Sequence, residues 1–405
     1  MNYFLIDGNC SYTYQDLFDR INSTDRYKPY YKHTSLFNFY VNFITALISD
    51  KPVVLIDADM SISEITNLVD EDWDLDKEII VSKKRVDSFE DLLEIIQRSS
   101  SQIIMFTSGT TGRPKKIIHY ISSLTRSVYK ADKYKDQRWL FTYNPTHMAG
   151  VQVFLQAFYN MNLLVNVFTK SRDYIYDVIN TYKITNISAT PTFYRMLLPY
   201  TVEFPSVIRT TYGGEGSNEK LYNVISQIFP NAKSNNVYAS TEAGALFASK
   251  GNKFVIPQNL ISKCKIVDGE LMLHKSLMGN SDSYNLVGDF YPTGDLIEWV
   301  EDGVFKIVGR KSELINVGGY KINPEEVESA LMSLKKIEQA VVYSKSNSIL
   351  GNILCADVKL IDGNEMTEFE VRKSLSFILQ DFKIPRRIKF VKEIVLTRTG
   401  KIKRK

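Results

Sequence analysis

Between about residues 100 and 240 the chain repeats one pattern: a short apolar run rich in β-branched and aromatic residues, a polar stretch, then a segment of helical period. The runs are "QIIMF", "RWLFTY", "LLVNVF", "NISA" and "VIRTTY", and the helical segments include "SRDYIYDVINTYK" and "EKLYNVISQIF". Runs this short suit buried strands, whereas apolar residues recurring every three or four positions line one face of a helix. Strands and helices in alternation bury both surfaces only as layers, so the segment is expected to form an α/β sheet, largely parallel. Ligands of such sheets bind in the crevice beyond the carboxyl ends of the strands. Three glycine-bearing polar stretches fall there: "TSGTTGRPK" after "IIMF", "GGEGSN" after "IRTTY" and "STEAG" after "NNVYA". They are expected to converge on one site.

The pattern changes from about 253 to 309, where "VDGELMLH" and "EDGVFKIVGR" each carry an Asp-Gly pair suited to a tight hairpin turn. This stretch reads as an antiparallel or barrel-like appendage. After Arg310 come a strand and the segment "NPEEVESALMSL", a helix started by Asn323 with Pro324 at its first position and acids in its first turn. Strands "QAVVYS" and "ILCADVKL", a helix near 367–380 and a last strand "RIKFV" follow. The chain, at 405 residues and 44% hydrophobic, is long enough for more than one core. The expected division is a large N-terminal domain over 1–309, built of layered α/β sheets with a β-rich appendage at about 253–309, and a small α+β domain over 310–405.

Several function classes are disfavoured. The net charge is only +4 and the basic residues are scattered except in the tail "KIKRK", so no cationic face for nucleic acid is expected. Cys10, Cys264 and Cys355 lie far apart without CxxC or Cys/His ligand spacing, which argues against a disulfide framework or structural zinc. The start "MNYFLIDGNC" lacks the basic and apolar regions of a leader, and the longest apolar stretch, near Phe43 to Ile48, is too short to span a bilayer. The expectation is a soluble cytoplasmic protein with no membrane span.

"FTSGTTGRPKK" does not fit the NTPase P-loop, because Gly-Lys-Ser/Thr is missing at the required distance from Gly109. It can still gather backbone N–H groups at Gly109 and Gly112 and the hydroxyls of Thr107, Ser108, Thr110 and Thr111 around phosphate oxygens, with Lys115 as a point charge. A polar surface turn would use the same residues. Further along, "VYASTEAG" offers Tyr238 to stack on a purine, the Thr241 hydroxyl for an α-phosphate and the Glu242 carboxylate for Mg²⁺. "YPTGD" ends in Asp295, whose two oxygens can accept from both hydroxyls of a ribose. Each also has an ordinary structural reading: a core tyrosine, a helix-capping Thr-Glu pair, a turn aspartate.

Taken together and in order, "FTSGTTGRPK", "NPTHMAG", "GGE", "VYASTE", "YPTGD", "GRKSELINVGGYKINPEEVE" and "RTGKIKR" resemble the adenylate-forming superfamily, which includes acyl- and aryl-CoA synthetases. The resemblance runs from about Phe106 to Lys403; the first 100 or so residues match nothing specific and are shorter than the family usually has. It implies activation of a carboxylic acid by ATP and Mg²⁺, giving an acyl-adenylate and pyrophosphate, then transfer to a thiol with release of AMP. CoA is the first choice of acceptor, and the phosphopantetheine arm of an acyl carrier protein the alternative; a catalytically silent nucleotide- or acyl-binding protein is the remaining reading.

The resemblance also assigns roles. Lys401 would bridge the substrate carboxylate and the α-phosphate, and the opening loop would hold the β- and γ-phosphates. Gly213, Gly214 and Glu215 would form the adenine pocket with Tyr238, Glu242 would hold Mg²⁺, Asp295 would fix the ribose, and Arg310 would add a ribose or phosphate contact. The small C-terminal domain would be mobile, turning about Lys311 to bring the loop around Gly318, Gly319 and Tyr320 to the acceptor channel. His147 matches the "P..H..G" segment of acyl- and aryl-CoA synthetases and would line the acyl pocket, favouring an acid without an α-ammonium group. Pocket walls are expected around 143–152, 188–194 and 211–217, with Tyr143, Phe193 and Tyr212 hinting at a small or aryl acid. Ala239 and Lys116 stand where the family commonly has glycine.

Overall fold

The computed structural model describes residues 2–32, 35–69, 73–107, 115–200, 202–214, 219–317, 320–347 and 351–395. Two sheets with helices between and around them form the α/β body. The main sheet has eight strands in the order Gly244–Ser249, Lys233–Ser240, Arg209–Gly213, Asn186–Ala189, Arg138–Phe141, Leu163–Asn166, Tyr3–Asp7 and Cys10–Thr13. Its six inner strands pair in parallel and its two edge strands antiparallel, as the alternating pattern requires. The run "QIIMF" leaves this group: Ile103–Thr107 sits in a second sheet, in the order Tyr30–Lys32, Val53–Ile56, Ile103–Thr107, Lys115–His119.

Successive side chains of a strand point to opposite faces, and the main sheet shows it in its two cores. Leu5, Trp139, Phe141 and Leu164 enter one core, while Ile6, Leu140 and Val165 enter the other with the helices Arg172–Thr181 and Glu219–Ile228. The first core also takes Val53, Leu55, Ile103 and Met105 from the second sheet, so one apolar mass joins both sheets.

Within it lies the helix Leu36–Ile48, "LFNFYVNFITALI", in which every residue except Asn38 is buried. A helix apolar on all sides has no solvent face and belongs inside a large core. Its buried Asn42 is matched to one backbone position: Oδ1 accepts from Lys28 N–H at 2.7 Å and Nδ2 donates to the Lys28 carbonyl at 3.0 Å. Tyr40 stacks on Phe154 of the helix Met148–Phe158, with ring centres 4.0 Å apart and planes 11° off parallel. The first hundred residues thus supply a central helix, two main-sheet strands and two strands of the second sheet.

The appendage is a five-stranded antiparallel sheet, ordered Phe254–Val255, Val304–Arg310, Phe290–Glu301, Glu270–His274, Cys264–Val267. Asp268 and Gly269 turn its first hairpin with φ of 50° and 74°, the left-handed pair a tight hairpin needs. Beyond it, strands Ile337–Asn347, Gly351–Leu360 and Arg387–Phe390 pack on the helices Pro324–Ser333 and Glu368–Leu375 around a core of their own. Asn323 caps the first of these helices by accepting from Glu325 N–H at 3.0 Å. The second ends earlier than the expected 380, and just past it Phe377 is 82% exposed while Leu379 still packs against the core. No helix among the described residues is long and apolar enough to cross a membrane.

Phe154→Ala empties the contact between the helix Met148–Phe158 and the central helix. Urea denaturation is expected to show a loss of about 3–5 kcal/mol in unfolding free energy. A loss below about 1 kcal/mol would show that these rings do not share a close-packed core.

Candidate active site

The strand Lys233–Ser240 ends in a tight turn, Thr241-Glu242-Ala243, before the chain returns along Gly244–Ser249. All three turn carbonyls are held from outside. The Thr241 carbonyl accepts from His119 Nε2 at 2.8 Å, Glu242 from Gly279 N–H at 2.7 Å, and Ala243 from Arg126 Nη2 at 2.6 Å. Because a carbonyl only accepts, His119 Nε2 carries the proton. Burial, with the nearby Arg126 charge adding to it, pushes the His119 pKa down against the opposing pull of that bond. His119 lies flat over Gly279: a Cβ there would come within 2.6 Å of its ring. Gly244 takes a φ of 68°, and a Cβ on it would meet Gln152 Nε2 at 2.7 Å, so the helix Met148–Phe158 closes on the turn from the other side.

His119 terminates the strand Lys115–His119, whose first residue is Lys115. That strand pairs with Thr107 at one end, Thr107 facing Lys115, and is tied to Asn280 by reciprocal 2.8 Å backbone bonds at Ile118. Ser281 Oγ donates to the Lys116 carbonyl at 2.7 Å. One strand therefore links the end of the opening loop to the Thr241–Ala243 turn. Ser108, Gly109, Thr110, Thr111, Gly112, Glu215, Gly318, Gly319 and Lys401 lie outside the described residues.

Tyr238, Asp295 and Arg310 come together. The Tyr238 hydroxyl donates to Asp295 Oδ2 at 2.6 Å, and Arg310 Nε donates to Asp295 Oδ1 at 2.7 Å, the two residues facing each other across adjacent antiparallel strands. Asp295 is buried, and each of its oxygens retains a lone pair beyond these bonds. Burial alone would lower the Arg310 pKa; the Asp295 charge and hydrogen bond outweigh it and hold the guanidinium in its charged form. The Tyr238 ring, expected to be open to a purine, is buried and stacks on Phe247 with centres 5.0 Å apart. Glu270 braces this turn from below: Oε1 accepts from Gly294 N–H at 2.9 Å and Oε2 pairs with Lys311 Nζ at 3.0 Å.

On the acid side, the spacing in "NPTHMAG" has a steric cause. His147 is the N-cap of the helix Met148–Phe158, and Gly150, one turn in, is pressed so closely on the Asn144 carbonyl that a Cβ would overlap it. His147 Nε2 lies 3.2 Å from Asp57 Oδ2. The Tyr143 hydroxyl lies 4.0 Å from where a Gly213 Cβ would stand, which brings the segments expected on the acid side and the nucleotide side together. Gly214 follows with a φ of 81°. Tyr212, by contrast, is fully buried against Tyr194 and Tyr222, so it packs the core.

Glu242 is half-buried, and its carboxylate has no hydrogen-bond partner among the described residues. No group of three or more metal-binding side chains occurs among them either. A lone open carboxylate suits Mg²⁺, which keeps waters and relies on substrate phosphates rather than a protein cage. Sequence reasoning missed His119, Arg126, Gly279, Asp57 and Glu270. Only His119 had a usable signal, a polar residue directly after the apolar pair Ile117-Ile118 and four residues past the loop lysine.

Comparison with known proteins identifies the family. Residues 43–267 match the AMP-binding enzyme family and residues 326–401 the AMP-binding enzyme C-terminal domain. The human acyl-coenzyme A synthetase ACSM4, mitochondrial, is 28% identical over 84% of this chain and 68% of its own length. Among solved structures, the Bacillus subtilis o-succinylbenzoate CoA synthetase MenE in complex with the acyl-adenylate OSB-AMP has a TM-score of 0.73 at 18% identity, covering 99% of this chain and 94% of that one. ATP-bound MatB from Rhodopseudomonas palustris gives 0.76 at 15% identity over the same shares. The chain belongs to the family of AMP-binding enzymes.

Proposed function

We propose that the chain is an AMP-forming acid:thiol ligase, acting on a small-molecule carboxylic acid with ATP and using CoA as the acceptor. In the first step a carboxylate oxygen bonds to the α-phosphorus of ATP and the bond to the β-phosphate bridging oxygen breaks, releasing pyrophosphate. In the second a thiolate attacks the acyl carbon and AMP leaves with the electron pair of the C–O bond. The observation that carries this reading is the Tyr238–Asp295–Arg310 group set beside the braced turn that presents Thr241 and Glu242.

The first step brings two anions together, so the chain's contribution is positioning and positive charge rather than proton transfer. Asp295, aimed by Tyr238 and Arg310, accepts from the ribose hydroxyls. Gly213, Gly214 and Glu215 meet the purine, and Tyr238, packed on Phe247, aims Asp295 rather than stacking on the base. Thr241 donates to the α-phosphate, and Lys115 with Thr107, Ser108, Gly109, Thr110, Thr111 and Gly112 grips the outer phosphates. Glu242 holds Mg²⁺, which when bound offsets phosphate charge. Lys401 bridges the acid and the α-phosphate, and His147 lines the acid pocket. Residues 1–309 act as the nucleotide- and acid-binding domain and 310–405 as the domain that turns about Lys311. None of the three cysteines, Cys264 and Cys355 buried and Cys10 exposed, forms a disulfide, which suits a reducing compartment such as the cytoplasm.

ATP–pyrophosphate exchange across a panel of carboxylic acids tests the reading. Exchange is expected with at least one acid, followed by thioester formation when CoA is added. ATP binding without exchange for any acid would support a silent binding protein instead, and transfer only to a pantetheinylated carrier protein would reassign the acceptor. Lys115→Ala is expected to slow adenylation about a hundredfold while leaving thiol attack on preformed acyl-adenylate little changed, as single-turnover assays of each half-reaction would show. Equal losses in both would mean that Lys115 does not act on the leaving phosphates.

A further inference from the structure

The AMP-binding match begins at residue 43, well before the expected Phe106, and so takes in Asp57, which directly follows the strand Val53–Ile56 of the second sheet. The two sheets meet here, because His147 follows the main-sheet strand Arg138–Phe141 at the start of the helix Met148–Phe158. Asp57 has a side chain only 8% exposed, whereas that of His147 is 31% exposed. Burying a carboxylate is costly unless donors surround it. Asp57 has His147 Nε2 at 3.2 Å on Oδ2 and Asp59 N–H at 3.1 Å on Oδ1. Burial alone would raise its pKa; the bonds from His147 and the Asp59 N–H, the His147 charge and a bond from Asn144 bring it down to about 2. The carboxylate is thus ionised and only accepts, so Nε2 carries a proton. Nδ1 of His147 has no hydrogen bond to a described residue and is the ring's remaining polar atom.

We propose that Asp57 is a positioning residue for the acid substrate: by accepting the Nε2–H of His147 it fixes the ring's tautomer and orientation and leaves Nδ1 to face the acid pocket. The role rests on the reading that His147 lines that pocket. It gives the first hundred residues a part in substrate binding, through one buried charge.

Two measurements test it. In the neutral ring of the native enzyme, two-bond ¹H–¹⁵N spectra should show His147 as the Nε2–H tautomer; an Nδ1–H ring would overturn the pairing whether or not any variant folds. With an acid that supports exchange, Asp57→Asn should raise the KM for acid about tenfold, the loss of roughly one charged hydrogen bond, and leave the KM for ATP unchanged. Combined with His147→Ala, it should add nothing to the effect of His147→Ala alone. An unchanged acid KM, an equal rise in the ATP KM, or effects that multiply would overturn the positioning role. If His147→Ala itself leaves the acid KM unchanged while the native spectrum shows the Nε2–H tautomer, the pocket reading fails and the pairing stands.

Discussion

Three consecutive backbone carbonyls, those of Thr241, Glu242 and Ala243, are each held by a donor distant in the chain. Each such bond contributes roughly 0.5–1.5 kcal/mol net, so their combined effect is less a large stabilisation than the loss of rotational freedom in a turn that would otherwise be mobile. Fixing the backbone fixes where the Thr241 hydroxyl and Glu242 carboxylate leave it. The strand Lys115–His119 supplies one of the donors and carries Lys115 at its other end, about 13 Å away for an extended strand. A single rigid element therefore sets the spacing between Lys115, proposed to bind phosphate, and the turn proposed to face the nucleotide. Preorganisation of that kind is what a reaction between two anions requires, since groups already in place need not reorganise as charge develops.

The charges around this turn are managed in pairs. Asp295 is buried, yet Arg310 and Tyr238 compensate it, and the carboxylate they aim still has lone pairs to accept from a ligand. His119 adds a donor without adding a charge, because burial beside Arg126 disfavours its protonated form. Glu270 spends one oxygen on the backbone of the Asp295 turn and the other on Lys311, so the residue proposed as the hinge touches the same brace that shapes the proposed ribose site. A rotation at Lys311 would have to release that ion pair, which is exposed on its lysine side and correspondingly weak.

What could be read from the sequence was local. The strands from Arg138–Phe141 to Arg209–Gly213, the Asp-Gly hairpin at 268–269 and the Asn323 cap all follow from residues within a few positions of one another. So did the grouping of Tyr238, Asp295 and Arg310, though through motif order rather than through any visible contact. The contacts that could not be read join remote segments: Asp57 to His147 across 90 residues, His119 to Thr241 across 122. The strand Tyr3–Asp7 completes the main sheet beside Leu163–Asn166 for a reason no window of sequence contains, namely that the sheet edge there was left to be paired. Tyr238 shows the converse: its identity suggested an open ring, but Phe247 lies opposite it on the neighbouring strand and takes one face. Glycines were the least legible. Gly279 carries no motif, and its need for a bare α-carbon arises only from the His119 ring lying over it.

That last position offers the most direct measurement. Gly279→Ala adds one methyl group where the His119 ring stands, at a residue whose own contact with the turn is its backbone N–H to the Glu242 carbonyl. Titration calorimetry of the folded variant with MgATP should show a Kd raised about tenfold, as expected for losing one well-placed hydrogen-bonded constraint on the turn. A Kd equal to that of the native chain would contradict a nucleotide site whose geometry depends on the carbonyl-held turn at Thr241–Ala243.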